Sequence, residues 1–346
     1  MPVDRVVSPA WDVGPAPRVS VVVATCGRAG MLPDVVQALQ SQRVDRSSFE
    51  VVVVDDASAD DSWSVIGALA ATTTLRLVGV RLGANVGAGA ARGTGVAEAR
   101  GEVVAFTDDD CIPAEQWLER LTAPLLDSGD DLPPALVVQG RTEPWPEDAE
   151  AGGPWARTVW VLRPTWLFET CNIAYRRADL ERAGGFLGWE EAPASPTGRP
   201  TGEDALLGWR VVSSGARLKF EPDALVHHRN FPATYGQWLA EQRGRAVFPA
   251  LAARSPLARR AFFGRWFLAP RSAATVLALA AVVAGIGRGR HRYLVGALPW
   301  MVLALPEARA RGGRHPAVRL AQLALVDLAG LAATARASAE HRRVVL

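Results

Sequence analysis

Four short runs of β-branched and aliphatic residues recur through the first 126 residues, each followed by a stretch of helix length. The runs are Val19–Ala24, Val51–Val54, Leu75–Val80 and Val103–Phe106; the stretches after them are Met31–Gln42, Asp60–Ala71, Val86–Ala99 and Ala114–Leu126. Strands that are apolar almost throughout are buried on both faces. Such strands alternating with amphipathic segments predict βα units and a mainly parallel sheet flanked by helices. A helical protein with apolar linkers does not produce four such repeats.

The next hundred residues are less regular. Leu136–Gln139 and Thr170–Tyr175 are expected strands, and Asp179–Ala183 is a short helix ended by Gly184 and Gly185. Residues 190–202 have no apolar periodicity and predict a mobile loop. Glu203–Ser213 predicts a helix, and Leu218–Phe220 and Ala224–His227 predict two more strands. Residues 1–17 are Pro-rich and aperiodic, so a leader or linker is expected there. The boundaries that follow are 18–240 for an α/β domain, divided into 18–112 and 113–240, and 241–346 for a helical C-terminal region.

Charge separates the two parts. Residues 241–346 carry 17 Arg and no Lys against four acids (Glu241, Glu307, Asp327 and Glu340), a net of +13; the first 240 residues carry a net of −11. The basic part also holds the apolar runs Ser272–Ile286 and Tyr293–Leu305, separated by Arg288, Arg290, His291 and Arg292. Each run falls short of the ~20 residues that cross a bilayer. Two legs of a shallow hairpin, or interfacial helices with basic flanks, are expected, docking at the cytoplasmic face of the cell membrane rather than on nucleic acid. The three cysteines, Cys26, Cys111 and Cys171, offer neither a disulfide framework nor a zinc motif. The first 18 residues lack the apolar core of a signal peptide.

In an open parallel sheet, ligands bind beyond the carboxyl ends of the strands. Thr25-Cys26-Gly27-Arg28, Asp55-Asp56-Ala57-Ser58, Gly83-Ala84-Asn85 and Thr107-Asp108-Asp109-Asp110 leave the four strands there. So many carboxylates on one edge require a cation or hydrogen-bond donors. Asp108 and Asp110, two residues apart, are expected to converge on one ion. Hard oxygen ligands favour Mg²⁺ or Mn²⁺. The glycine-rich GANVGAGAARG at 83–93 is a poor dinucleotide fingerprint: Arg92 stands where a third glycine belongs, and the segment follows the third strand.

The order VSVVVATCGR, VVVVDDAS, RLGANVGAGAARG and FTDDDC resembles the nucleotide-sugar half of the family 2 glycosyltransferases with a GT-A fold. CNIAYRRADLERAGGF at 171–186, GEDALLGWR at 202–210 and EPDALVHHR at 221–229 continue the resemblance over roughly residues 18–230. It implies a Rossmann-like mixed sheet and an inverting transferase that moves sugar from a nucleotide-diphosphate sugar to a hydroxyl acceptor, a membrane-linked glycan or polysaccharide precursor. It also implies roles. Thr25, Arg28, Asp55, Asp56, Asn85, Asp108 and Asp109 bind the nucleotide sugar. Asp110 and Asp108, with His228, hold the metal. Asp204 is the catalytic base, and Glu203, Trp209 and Trp166 lie on the acceptor side, with Trp189 as a further stacking candidate. A departure from the family pattern is Gly93, where Asn often follows Ala-Arg.

The chemistry agrees with these roles. Negative charge grows on the departing diphosphate, which a divalent ion stabilises. The acceptor hydroxyl must lose its proton to a positioned carboxylate as it attacks. A one-step attack from the opposite face predicts inversion. The rival readings are a nucleotidyltransferase, which needs a longer Gly-rich basic loop after the first strand, and a non-catalytic sugar- or membrane-binding module, which would have no need of Asp110 or Asp204.

Overall fold

The structure is a computed structural model that describes residues 2–126, 135–148, 153–186, 201–312 and 315–346. The chain divides into two compact units. One comprises Met1–Asp148, Thr158–Ala192 and Gly202–Arg229; the other comprises Ala149–Arg157, Pro193–Thr201 and Asn230–Leu346.

The first unit is built on a nine-stranded sheet. Its strands are β1 (Pro2–Val7), β2 (Val19–Thr25), β3 (Phe49–Asp55), β4 (Leu77–Leu82), β5 (Val103–Thr107), β6 (Cys111–Pro113), β7 (Leu136–Pro144), β8 (Asn172–Arg176) and β9 (Arg217–His228), in the order β1-β4-β3-β2-β5-β8-β7-β9-β6. The pairs β4–β3, β3–β2 and β2–β5 are parallel. β8 runs antiparallel to both β5 and β7, and β7 pairs in parallel with β9. All seven residues of β3 are buried, as the unbroken apolar run requires. Each fully buried valine there contributes roughly 1.5–3 kcal/mol over leaving it exposed.

Between the strands lie α1 (Leu32–Gln40), α2 (Ser62–Thr72), α3 (Ala88–Glu98), α4 (Trp117–Leu126), α5 (Arg177–Arg182) and α6 (Glu203–Ser213). Two glycines of α3 serve helix packing. A Cβ on Gly95 of α3 would meet Val22 Cγ1 at 2.4 Å, and one on Gly89 would meet Glu203 Cγ at 2.4 Å. α3 therefore closes on β2 and admits α6 because no side chain intervenes.

Two expectations change. The segment 1–17 supplies an edge strand: β1 pairs antiparallel with β4, and Ser8 Oγ ties back to the Leu75 carbonyl at 2.7 Å. The two strands expected in 218–227 are one long strand, β9, whose pairing with β7 shifts register at Gly140/Arg141. The expected loop 190–202 and Trp189 lie outside the described residues, except for Thr201 and Gly202.

The second unit is helical: α7 (Tyr235–Glu241), α8 (Val247–Arg254), α9 (Pro270–Arg288), α10 (Leu298–Ala310) and α11 (Pro316–Glu340). Trp155, Ala304, Ala308 and Leu323 form a small core, against which Tyr235, Trp238 and Trp300 pack.

Candidate active site

The loops at the carboxyl ends of β2, β3, β4 and β5 are tied to one another by side chains. Gly27, at φ +67°, donates its backbone N–H to Ser58 Oγ at 2.9 Å, and Ser58 N–H donates to Asp55 Oδ1 at 2.9 Å. Asp55 is fully buried; its Oδ2 lies 3.5 Å from Arg81 Nε. Asp56 accepts from Val86 N at 2.7 Å and Gly87 N at 2.8 Å, so its carboxylate braces the amino end of α3, where negative charge is favoured. Ser58 is not a helix cap: α2 starts only at Ser62. Asn85 is exposed and donates to Cys26 Sγ at 3.1 Å. Thr25 is buried at the end of β2.

The three aspartates after β5 point to different partners. Asp108 turns to Arg92 of α3, at 2.6 Å. Asp109 is buried, and burial pushes its carboxyl up to about 7, with Arg28 opposing the shift. Asp110 is clamped by Arg28, whose Nη1 also lies 3.5 Å from Asp109 Oδ1. The expected convergence of Asp108 and Asp110 on one ion is therefore not what the structure shows. Asp110 instead groups with His228 and Cys111, their ligand atoms within 4.8 Å of one another.

That group fits a divalent ion. His228 Nδ1 lies 2.8 Å from the Arg229 carbonyl oxygen. A carbonyl only accepts, so this contact puts a ring proton on Nδ1 and directs Nε2 toward Asp110 Oδ1 at 3.5 Å. A carboxylate oxygen and an imidazole nitrogen at that separation can share a divalent ion. Burial, reinforced by Cys171, pushes the Cys111 thiol well above its ordinary range. Asp110 and His228 offer one carboxylate and one imidazole, a donor set that accommodates Mn²⁺ or Mg²⁺.

Arg92 joins this side to α6. It is buried, pairs with Asp108 at 2.6 Å and reaches Glu203 Oε1 at 3.7 Å. Burial alone would favour losing its proton, but Asp108 and Glu203 hold it firmly charged. Next to Glu203, Asp204 accepts from the Ala205 N–H at 2.8 Å, and Gly202 (φ +82°) sets the turn into α6. Burial and the neighbouring Glu203 charge raise the Asp204 carboxyl well above the usual carboxylate range.

Glu169, absent from the sequence reading, is another acid of this region: burial raises its carboxyl, and it accepts from Gln139 Nε2 at 2.8 Å and from Thr165. The adjoining turn carries left-handed backbone at Trp166 (φ +61°) and Phe168 (φ +57°), a strained conformation for such side chains. Trp209, expected to face the acceptor, is buried and donates its indole N–H to the Trp166 carbonyl at 2.8 Å, so it secures that turn. Arg92 carried a legible signal. It follows Gly89 and precedes Gly95 at spacings of three, which puts a cation on the packed face of α3. Glu169 carried none.

A parallel sheet with an antiparallel extension, a carboxylate-rich edge after β5 and an acid pair opening α6 define a GT-A-like transferase. The family model described as "Glycosyl transferase family 2" matches residues 20–182. Glycosyltransferase AglE of Haloferax volcanii is 34% identical over 232 residues, 65% of this chain and 71% of that protein. The pre-mycofactocin glycosyltransferase of Mycobacterium tuberculosis is 32% identical over 266 residues, 72% of this chain but 51% of its own length. In fold, the chain resembles the mannosyltransferase PcManGT from Pyrobaculum calidifontis, solved in complex with GDP-Man and Mn²⁺ (TM-score 0.54, 23% identity, 96% of this chain and 90% of that one). The chain belongs to glycosyltransferase family 2 and is an enzyme that transfers sugar from a nucleotide sugar. The nucleotidyltransferase and non-catalytic readings fall with that assignment.

Proposed function

We propose that this enzyme is a metal-dependent, inverting glycosyltransferase whose acceptor is the hydroxyl of a membrane-linked glycan or polysaccharide precursor, and that it works at the cytoplasmic face of the cell membrane. The observation that carries the reading is Arg92, which bridges Asp108 in the turn after β5 to Glu203 at the start of α6. One buried cation thereby joins the donor-side acids to the acid pair that contains Asp204.

Asp110 and His228 would hold a divalent ion, which when bound neutralises charge on the diphosphate. Arg28, between Asp109 and Asp110, is the side chain suited to bind the diphosphate oxygens. Asp55, with one oxygen on the Ser58 amide and the other 3.5 Å from Arg81 Nε, is the acid at the nucleoside end of the site. Asp204 takes the proton of the acceptor hydroxyl as it attacks. A carboxyl raised by burial is a stronger base once ionised, which suits that role at neutral pH. Trp166, half-buried on its strained turn, is left as the acceptor-side aromatic. The mannosyltransferase neighbour's complex with GDP-Man and Mn²⁺ supports the donor and metal classes by fold alone.

The test is Asp204→Asn. Transfer from a panel of sugar nucleotides with Mn²⁺ is expected to fall by about 10²–10⁴-fold while calorimetric donor affinity stays within about twofold. Near-normal turnover would remove Asp204 from its role, and a product that keeps the donor's anomeric configuration by NMR would exclude inversion.

A further inference from the structure

We infer that the α9–α10 hairpin lies in the headgroup–acyl boundary of a bilayer containing anionic lipid, with its apolar flank in the hydrocarbon and the arginines of its tip on lipid phosphates. The inference rests on the membrane reading above and deepens it.

The hairpin is packed inside out. The residues α9 buries are Ala274, Thr275 and Gly285, and those α10 buries are Ala304 and Ala308. Its large apolar side chains face outward: Val283 is 62% exposed, Ile286 77%, Val295 63% and Val302 69%. A helix pair in water turns such residues inward. A contiguous apolar surface of this kind marks an interaction face. α11 also exposes Leu325 and Leu328, which border a furrow of about 1090 Å³ that Leu239 and Ala250 line from the other side.

The charged groups of the hairpin's base point inward. Arg271 of α9 pairs with Glu307 of α10 and lies 3.0 Å from Asp327 of α11. Trp300 Nε1 donates to Asp327 Oδ2 at 2.8 Å, and Arg311 holds Glu307 at 2.6 Å. Ion pairs inside and aliphatic side chains outside is the arrangement expected when the surroundings are lipid.

The tip decides the orientation. Arg288, Arg290 and Arg292 cluster there, with Arg288 and Arg292 over the Tyr293 ring at 5.7 and 5.5 Å. α9 has 19 residues and a mean hydropathy of 1.5, so by length and composition alone it passes for a membrane span. Yet the segment free of charge runs only from 272 to 287, about 24 Å at 1.5 Å per residue, against ~30 Å of hydrocarbon. An upright crossing would strand a guanidinium in the acyl core. Lying along the boundary puts the aliphatic flank in hydrocarbon and all three tip arginines among phosphates.

Flotation of the full chain on phosphatidylcholine vesicles, with and without phosphatidylglycerol, tests this. The chain is expected to float with phosphatidylglycerol vesicles. Val283→Asp/Ile286→Asp should lower binding to both vesicle types by about tenfold or more. Arg288→Ser/Arg290→Ser/Arg292→Ser should lower binding to phosphatidylglycerol vesicles at low salt by about 10²-fold, at about 1 kcal/mol per arginine, and leave phosphatidylcholine binding unchanged. Unchanged donor affinity in both variants shows that they fold. If the chain floats and both variants float equally well, the hairpin inference falls while the membrane reading stands. If the unaltered chain stays at the bottom with both vesicle types, both fall. A stable dimer in solution that Val283→Asp/Ile286→Asp dissociates, without vesicle binding, assigns the face to a second copy and overturns the inference.

Discussion

The two units treat charge and hydrocarbon in opposite ways. In the first, the strands bury valine after valine, and the acids sit at strand ends where arginines meet them: Arg28 at Asp110, Arg92 at Asp108. In the second, Arg271, Glu307 and Asp327 meet in the interior, while Val283, Ile286 and Val302 face outward. Hydrophobic burial organises the first in the ordinary way. The second leaves large aliphatic side chains on its outer surface, the kind of face that marks an interaction surface. Charge changes sign along the chain in the same sense, with a net of −11 over residues 1–240 and +13 over residues 241–346.

The sharpest way to break the contrast is to remove a cation from the first unit. Arg92→Leu leaves Asp108 and Glu203 facing each other in a buried place with no counter-charge. Urea unfolding followed by tryptophan fluorescence is expected to show a loss of roughly 3–5 kcal/mol, with transfer abolished. A variant as stable as the parent would mean that water reaches these acids and that Arg92 does not bridge them.

A smaller effect is expected from the matching deletion in the second unit. Asp327→Asn keeps a partner for the Trp300 indole but takes a charge from Arg271, which retains Glu307. A loss of roughly 1–3 kcal/mol is expected, read as faster proteolysis within 230–346. The effect should grow when vesicles are present, because a guanidinium left with Glu307 alone is less well compensated when lipid rather than water surrounds the unit. An effect that is equal with and without vesicles would say that this cluster never leaves water.

The units also differed in how far their sequences could be read. In the first, the alternation of apolar runs and helical stretches gave the parallel core, and strand ends pointed to Asp55, Asp108 and Asp110, because both signals are local. What was missed depended on distant contacts. β1 lacks periodicity and forms because β4 offers an edge. Asp108 and Asp110 look alike in sequence, and distant partners pull them apart: Arg92 of α3 holds Asp108, while Arg28, and His228 of β9, hold Asp110. Trp209 gave no hint that it faces a backbone carbonyl rather than a sugar. In the second unit, apolar runs and basic flanks were legible. The inward turn of Arg271 and Asp327 was not, because a charge within an apolar run marks a site without naming its partner.

The smallest effect is a shift in pH dependence, and it asks whether the first unit's acids are tuned or merely accommodated. Burial raises Asp204, and the neighbouring Glu203 charge raises it further, while Arg92 opposes both. The acidic limb of kcat/KM, where Asp204 becomes protonated, should therefore lie above the ordinary carboxylate range. Glu203→Gln removes the like charge and keeps the shape, so the limb should move to lower pH and activity should persist further into acid. Stability carries the same sign. Below the unfolded carboxyl value both states of Asp204 are protonated, and its ionisation costs the fold nothing. As pH rises past that value the unfolded chain ionises first, so the folded state loses ground. Asp204→Asn should then be more stable than the parent at neutral pH and no different in strong acid, as thermal unfolding across that range would show. An unchanged limb in Glu203→Gln, together with an unchanged melting point in Asp204→Asn, would mean that Asp204 is as solvated as the surface acids and is not held in readiness for a proton.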